Sequence, residues 1–202
     1  MKSTLDYYHL NAKTLSTRYE SANVKHIHSL LTRIFFPATH LLEIGCGSGR
    51  DASFMFNQGY EITAIDGSEE MIKEARRLHP ELSNSFFTAL LPDNFHYKAN
   101  SFDGIFSIAT LMHLQLNKLD IVFSEIYRVL KPSGRFVFSV SIQRNDIDYS
   151  FKDINGRHFT TIPKDHWLQF AKEKGFKLLE ANITEDGLDR KGILWLTCVL
   201  EK

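Results

Sequence analysis

Two short stretches hold the residue types best suited to chemistry: Glu43-Ile44-Gly45-Cys46-Gly47-Ser48-Gly49-Arg50-Asp51 and, roughly twenty residues on, Asp66-Gly67-Ser68. Glycine takes positive φ and has no Cβ, so a glycine-rich turn lets backbone N–H groups come close to a ligand. Where such a turn opens a helix, unpaired donors and the positive end of the helix dipole favour an anionic group. A carboxylate ending the next strand can take both hydroxyls of a ribose that lies over the turn. The turn alone is a weak signal, and its pairing with Asp66 is a much stronger one. The spacing is Gly-x-Gly-x-Gly, with Arg50 where a dinucleotide fingerprint would place its last glycine. Further candidates are His113, just past a predicted strand, and Arg157-His158-Phe159 in a polar stretch. The histidine could accept a proton or simply bond to backbone and shape a pocket. The loop residues could touch a substrate or only water.

These residues need a sheet beneath them. The short apolar runs at 40–44, 61–65, 85–89 and 104–108 have the length of buried parallel strands. Helices are expected from 50 to 58 with Gly59 at the end, and from 69 on, with Ser68 as cap, Glu69 and Glu70 in the first turn and Pro80 beyond. Another runs from 117 to 130, its apolar face formed by Leu119, Val122, Phe123, Ile126, Val129 and Leu130. Lys131-Pro132-Ser133-Gly134 then turns into a strand at 135–140. A helix at 163–174 precedes strands at 176–183 and 193–200, joined as an antiparallel hairpin. Residues 3–33 read as helical, with a break at Asn11 or at 21–23, and 141–162 are longer than a plain connection needs, which suits a lid or specificity loop. Glu185, Asp186 and Arg190 read most simply as a charged turn.

Bulk properties exclude several classes. Twenty-four basic residues balance twenty-four acidic ones, leaving no net field to attract a polyanion. No apolar window is long enough to span a membrane and the N-terminus carries no apolar run, so a cytoplasmic protein is expected. Cys46 and Cys198 are expected as thiols. Cys46 reads as a small residue tolerated in a tight turn, with a nucleophile as the alternative. His26 and His28 lie two apart, which on a helix points them to different faces.

The runs Leu42-Glu43-Ile44-Gly45-Cys46-Gly47-Ser48-Gly49-Arg50-Asp51, Thr63-Ala64-Ile65-Asp66-Gly67-Ser68-Glu69-Glu70-Met71, Phe102-Asp103-Gly104-Ile105-Phe106-Ser107 through His113-Leu114, and Glu125-Ile126-Tyr127-Arg128-Val129-Leu130-Lys131-Pro132-Ser133-Gly134-Arg135 come in the order seen in one family. The chain resembles the class I, S-adenosylmethionine-dependent methyltransferases. That resemblance implies one α/β domain over 1–202, with a Rossmann-like, seven-stranded, mostly parallel sheet flanked by helices and a C-terminal antiparallel hairpin. It implies S-adenosylmethionine as methyl donor and S-adenosylhomocysteine as product. The implied cofactor-binding residues are Glu43, Gly45, Cys46, Gly47, Ser48, Gly49, Arg50, Asp51, Asp66, Gly67, Ser68, Met71, Ala89, Leu90, Ile108 and Ala109. Tyr8 and Tyr19, on a helical flap over 1–36, would close over them, with core packing as the other reading. Asp51 could reach the methionine part or merely sit in the helix dipole, and Met71 could underlie the adenine or face the core. Asp93 could stand in for the acidic or amide residue that the family often places after the third strand. His113 would meet the acceptor, and Arg157, His158 and Phe159 would flank it.

The acceptor is less legible. The loop after the fourth strand lacks an Asn/Asp-Pro-Pro-Tyr/Phe sequence, no Pro-Cys pair is present, and no Cys-x-x-Cys metal spacing occurs. A small molecule remains the expected substrate, ahead of protein or RNA, as in the tellurite-resistance and thiopurine-type enzymes that the Gly-Ser-Gly-Arg-Asp turn resembles. Small members of the family also carry a Thr-Glu-Asp stretch like residues 184–186 near the active side. An NAD-dependent oxidoreductase and a non-catalytic S-adenosylmethionine binder are the alternatives, and the protein could be a monomer or a homodimer.

Overall fold

In Leu41-Leu42-Glu43-Ile44, successive side chains point to opposite faces of a strand, yet all are buried, which requires cover on both sides. The computed structural model supplies that cover; it describes residues 3–93, 95–186 and 190–202. The strands are β1 (His40–Ile44), β2 (Glu61–Asp66), β3 (Phe86–Thr88), β4 (Phe102–Ile108), β5 (Leu130–Gln143), β6 (Lys177–Glu185) and β7 (Leu194–Glu201). They form one seven-stranded sheet in the order β3-β2-β1-β4-β5-β7-β6. The pairings among β1 to β5 are parallel, and β7 runs antiparallel to both β5 and β6. The α/β class, the mostly parallel sheet and the C-terminal hairpin are therefore as the sequence reads. The hairpin's connection is described only at its two ends, since 187–189 lie outside the described residues.

Helices α1 (Thr4–Glu20), α2 (Lys25–Ile34), α3 (Arg50–Asn57), α4 (Glu69–Leu78), α5 (Leu116–Val129) and α6 (Lys164–Glu173) surround the sheet. Strand periodicity sorts the core. Leu42, Ile44, Ile105, Phe136 and Phe138 pack with Leu119, Val122 and Phe123 of α5 and Trp167 of α6. The alternate residues Leu41, Phe106 and Val137 pack on the other face with Ile27 and Leu31 of α2, Met55 of α3 and Ile72 of α4. Each of these side chains contributes on the order of 1.5–3 kcal/mol when fully buried.

Helix α1 stands apart from both faces. It begins with a capping box, in which Asp6 N–H donates to Ser3 Oγ (3.1 Å) and Ser3 N–H to Asp6 Oδ2 (2.8 Å). Its Ala12 and Leu15 pack against Met71 of α4 rather than against the sheet. The break between α1 and α2 falls at 21–24. At Asn11, the other position expected for it, the helix continues and Nδ2 donates back to Tyr7 O at 2.8 Å. Strand β5 begins five residues before the expected 135, because Leu130 already pairs with Phe102. The turn at 131–134, with Ser133 at φ 62°, is carried as an irregularity inside the strand. Among the described residues, no helix is long and apolar enough to cross a membrane.

Strand order reverses between β1 and β4, and in open α/β sheets the crevice at the carboxyl ends of such strands is where ligands bind. The glycine turn leaves β1 there, and Thr110 and His113 follow β4 there.

Candidate active site

The turn after β1 can take only glycine at its first position. Gly45 has φ +76°, and a Cβ there would land on the Thr110 side chain. Its N–H and that of Cys46 donate to Ile65 O at 2.7 and 2.9 Å, tying the turn to β2. Asp66 completes the tie: Oδ2 accepts from Gly47 N–H (3.0 Å) and Oδ1 from Ser68 N–H (2.8 Å). Burial pushes the Asp66 carboxyl above its ordinary range, and those two N–H bonds oppose the rise.

Over this turn opens a cleft of about 1050 Å3. Its wall contains Glu43, Gly45, Cys46, Gly47, Ser48, Arg50, Asp51, Asp66, Gly67, Ala89, Leu90, Ile108 and Ala109, together with Tyr8, Tyr19, His113, Arg157 and Phe159. Gly49, Ser68, Met71 and His158 are off the wall. Gly49 is needed for packing, since a Cβ would meet Phe86 and His79. Ser68 caps α4 by accepting from Met71 N–H at 3.3 Å, and Met71 is fully buried against α1. Asp93 is exposed and faces Lys118 at 3.9 Å. Cys46 and Cys198 are both free thiols, and burial raises both, Cys198 to about 12. Neither is poised as a nucleophile.

Two acids on the wall are treated differently by their surroundings. Asp51 takes Arg50 through Nε (2.8 Å) and Nη2 (2.9 Å) and His28 Nε2 at 2.9 Å. Burial would raise its carboxyl, but the bonds from His28 and Arg50 outweigh that and hold it below the ordinary value. These partners, rather than the helix dipole alone, account for a charged residue at the start of α3. Glu43 is 2% exposed and its Oε2 has no hydrogen-bond partner among the described residues. Burial, reinforced by the neighbouring charge of Asp51, pushes its carboxyl well above the usual range.

The end of α1 is fastened to the same turn. Ser48 Oγ donates to Glu20 Oε1 (2.6 Å), and Arg50 Nη1 donates to Tyr19 O (2.8 Å). Nearer its start, the Tyr8 hydroxyl meets His113 Nε2 at 3.0 Å. On the far side of that ring, Nδ1 lies 2.7 Å from His158 O, a contact only an N–H can make, so Nε2 carries the lone pair and Tyr8 donates. Burial lowers His113 to about 4, and the charges of Arg157 and Arg144 push the same way.

The stretch expected as a lid is pinned at its downstream end. Thr160 N–H donates to Met112 O and Thr160 Oγ1 to Leu114 O, each at 2.6 Å, while His158 N–H donates to Thr4 Oγ1 at 2.8 Å. Phe159 is buried, 4.6 Å from the His113 ring centre. Its tip points outward, with Tyr149 and Ile154 99% exposed.

The hairpin end adds wall residues that motif spacing did not single out as a site: Thr184, Glu185, Asp186, Arg190 and Trp195. Asp186 is buried and accepts from Trp195 Nε1 (2.9 Å) and from Arg190 Nη2 (2.6 Å). Arg144, at the end of β5, joins them. The usable sequence signal was the Thr-Glu-Asp run; nothing local marks Arg144.

A family model described as a methyltransferase domain matches residues 42–138, from β1 into β5. Methyltransferase phqN of Penicillium fellutanum is 31% identical over 118 residues, covering 56% of this chain and 36% of that protein. Among solved structures, the PH0226 protein of Pyrococcus horikoshii OT3 superposes with a TM-score of 0.74 at 21% identity, covering 90% of this chain and 92% of that one. The Burkholderia thailandensis 1,6-didemethyltoxoflavin-N1-methyltransferase, solved with 1,6-didemethyltoxoflavin and S-adenosylhomocysteine, superposes with a TM-score of 0.72 at 18% identity, covering 100% and 91%. At these identities the structural likeness is one of fold. The chain spans less than half the length of the first curated relatives it matches, 36%, 43% and 41%. Glycine turn, Asp66, strand order and the match across 42–138 agree with one another, and over residues 42–138 the chain is a methyltransferase domain, on the fold shared by S-adenosylmethionine-dependent methyltransferases.

Proposed function

We propose that this protein binds S-adenosylmethionine along the cleft and transfers its methyl group to a small-molecule nucleophile. The observation that carries the reading is Glu43: a buried carboxyl group on the wall of the cleft whose Oε2 has no hydrogen-bond partner among the described residues. Leaving such an oxygen without a hydrogen bond is costly unless a ligand supplies one. The ammonium of a methionine moiety would supply a donor there and, by its charge, favour the ionised form that burial otherwise disfavours. Each Asp66 oxygen keeps a second lone pair beyond its backbone bond, enough for a ribose hydroxyl. Ala89, Leu90, Ile108 and Ala109 offer an apolar slot for the base.

The donor supplies a methyl group already activated by its sulfonium charge, so the chain's task is to orient the acceptor and exclude water. Orientation alone supplies on the order of 7–11 kcal/mol in favourable cases. Helix α1 acts as the flap, with Tyr8 and Tyr19 shutting the cleft from solvent, while α2, expected as part of the same flap, is packed into the core through Ile27 and Leu31. His113 presents an unprotonated Nε2 beside the Tyr8 hydroxyl. With its proton affinity held down to about 4, it is a weak base. Its one lone pair is already taken by the Tyr8 hydroxyl, so it suits holding that hydroxyl at the cleft better than deprotonation of an alcohol. The Burkholderia thailandensis neighbour carries a small acceptor, which supports the same class here.

Calorimetric titration with S-adenosylmethionine, S-adenosylhomocysteine and NAD tests the cofactor: binding of NAD alone would overturn the reading. Transfer of labelled methyl into a metabolite extract tests the activity. Tight binding with no labelled product under any condition would make the protein a non-catalytic binder.

A further inference from the structure

We propose that the acceptor is an amphipathic anion, a small apolar or aromatic body bearing a carboxylate or phosphate, and that Arg144, Arg157 and Arg190 bind its charged group. The inference deepens the methyl-transfer reading and rests on it for the word acceptor; the anion site itself is argued from this wall of the cleft alone.

All three arginines line the cleft. Each spends the same edge, Nε and Nη2, on a nearby aspartate. Arg144 bonds Asp146 at 2.8 and 2.5 Å, Arg157 bonds Asp153 at 2.8 and 2.6 Å, and Arg190 bonds Asp186 at 3.0 and 2.6 Å. A guanidinium has five N–H donors in a fixed fork, so these pairs leave the Nη1 donors of each over, although Arg157 also faces the Tyr8 hydroxyl and lies 4.8 Å from the Tyr7 ring. Asp146 and Asp153 do not line the cleft, so for two of the three pairs the arginine is on the wall and the aspartate off it, Asp153 buried and Asp146 facing solvent. Glu185 also lies on the wall, but it is solvent-exposed, where water and salt screen its charge.

Two of the three cations share one ring. The guanidinium carbons of Arg144 and Arg157 lie 3.9 and 5.2 Å from the centre of Phe159, and Phe159 in turn packs on His113. Two like charges on one buried ring repel each other, and the Arg144 side chain is only 2% exposed. The aspartates offset that cost and fix the forks in place, which is the arrangement needed to meet a planar carboxylate or a phosphate with paired hydrogen bonds. Beside them, Met112, Leu114 and Trp195 provide wall for an apolar body, so a bare inorganic anion would leave much of this space unfilled.

The test is calorimetric titration of the whole protein, with and without saturating S-adenosylhomocysteine, using benzoate, phenyl phosphate and the neutral benzamide as probes. At least one anion is expected to bind about tenfold or more tighter than benzamide, equivalent to about 1.4 kcal/mol, and to weaken as salt is added. The better of the two anions identifies the oxyanion. Arg144→Gln and Arg157→Gln should each cost about tenfold for the anion while leaving benzamide and S-adenosylhomocysteine unchanged. Equal affinity for benzamide and both anions, or no anion binding at millimolar concentration, would overturn the proposal without any variant. Folded variants that bind the anion like wild type would do the same, reducing the arginines to loop clamps. Loss of S-adenosylhomocysteine binding in wild type would instead sink the donor site, and titrations without it would still decide the anion site.

Discussion

The Tyr8 hydroxyl donates to Nε2 of His113 across 3.0 Å, joining α1 to the loop after β4 between residues 105 positions apart. One hydrogen bond thus links the candidate flap to the candidate acceptor contact. Tyr8→Phe removes it while keeping the ring, and should cost about 0.5–1.5 kcal/mol of stability. His113→Gln should lower kcat more than it raises the donor's KM. A variant with kcat unchanged would make the histidine a packing element only.

His113 also predicts a pH dependence. Its affinity for a proton falls from 6.5 in the unfolded chain to about 4 in the fold, so the unfolded state binds more protons between those values. The stability due to keeping it neutral is fully present above about 6.5 and is lost as pH falls toward 4. Glu43 and Asp66 act in the opposite sense: their raised carboxyls favour the fold at low pH and lose that contribution as pH rises above the unfolded value. The clean measurement is therefore a difference. Chemical denaturation of wild type and His113→Gln from pH 7 to 4 should show the gap narrowing as pH falls, by up to roughly 3 kcal/mol. A gap independent of pH would refute it.

Glu43→Gln separates stability from function. Replacing a buried acid with a neutral isostere should leave the apo protein as stable or more so, a trade met at ligand sites. Affinity for S-adenosylmethionine should drop about tenfold or more. Unchanged affinity would mean that Glu43 faces nothing on the ligand.

Asp66→Ala should weaken S-adenosylmethionine binding by roughly 1–3 kcal/mol through lost charge-assisted bonds. Because Gly47 and Ser68 N–H groups also lose their acceptor, melting temperature should fall with it. A melting change with wild-type affinity would leave Asp66 a brace for the turn and nothing more.

Gly45→Ala should be among the most damaging single changes. A left-handed backbone costs an alanine about 1–2 kcal/mol, and its methyl would overlap Thr110 at a further cost of about 1–3 kcal/mol. Thr110→Ser in the same chain should recover part of the second loss and none of the first, as read by chemical denaturation.

The loop over 144–162 shows where local reading stops. Its length and polarity suggested a lid, yet Thr160 and His158 fasten its downstream end to Met112, Leu114 and Thr4. No periodicity in 141–162 encodes those partners. Arg157 and Phe159 were legible as candidates because of their residue types; His158, beside them, contributes its carbonyl rather than its ring to the site.

From the sequence alone came the strand, turn and helix around Gly45, the acid at Asp66 and the cap at Ser68, because each depends on backbone preferences and side-chain periodicity within a few residues. Contacts across the sheet had to wait for the tertiary structure. Inserting β7 between β5 and β6 brings Asp186, Arg190 and Trp195 to the same cleft as Tyr8 and Arg144. Burial, which only the assembled fold creates, then leaves Glu43 Oε2 without a hydrogen-bond partner among the described residues and makes His113 a weak base. Ionisation responds to the total surroundings of a group, and those surroundings are drawn from all along the chain.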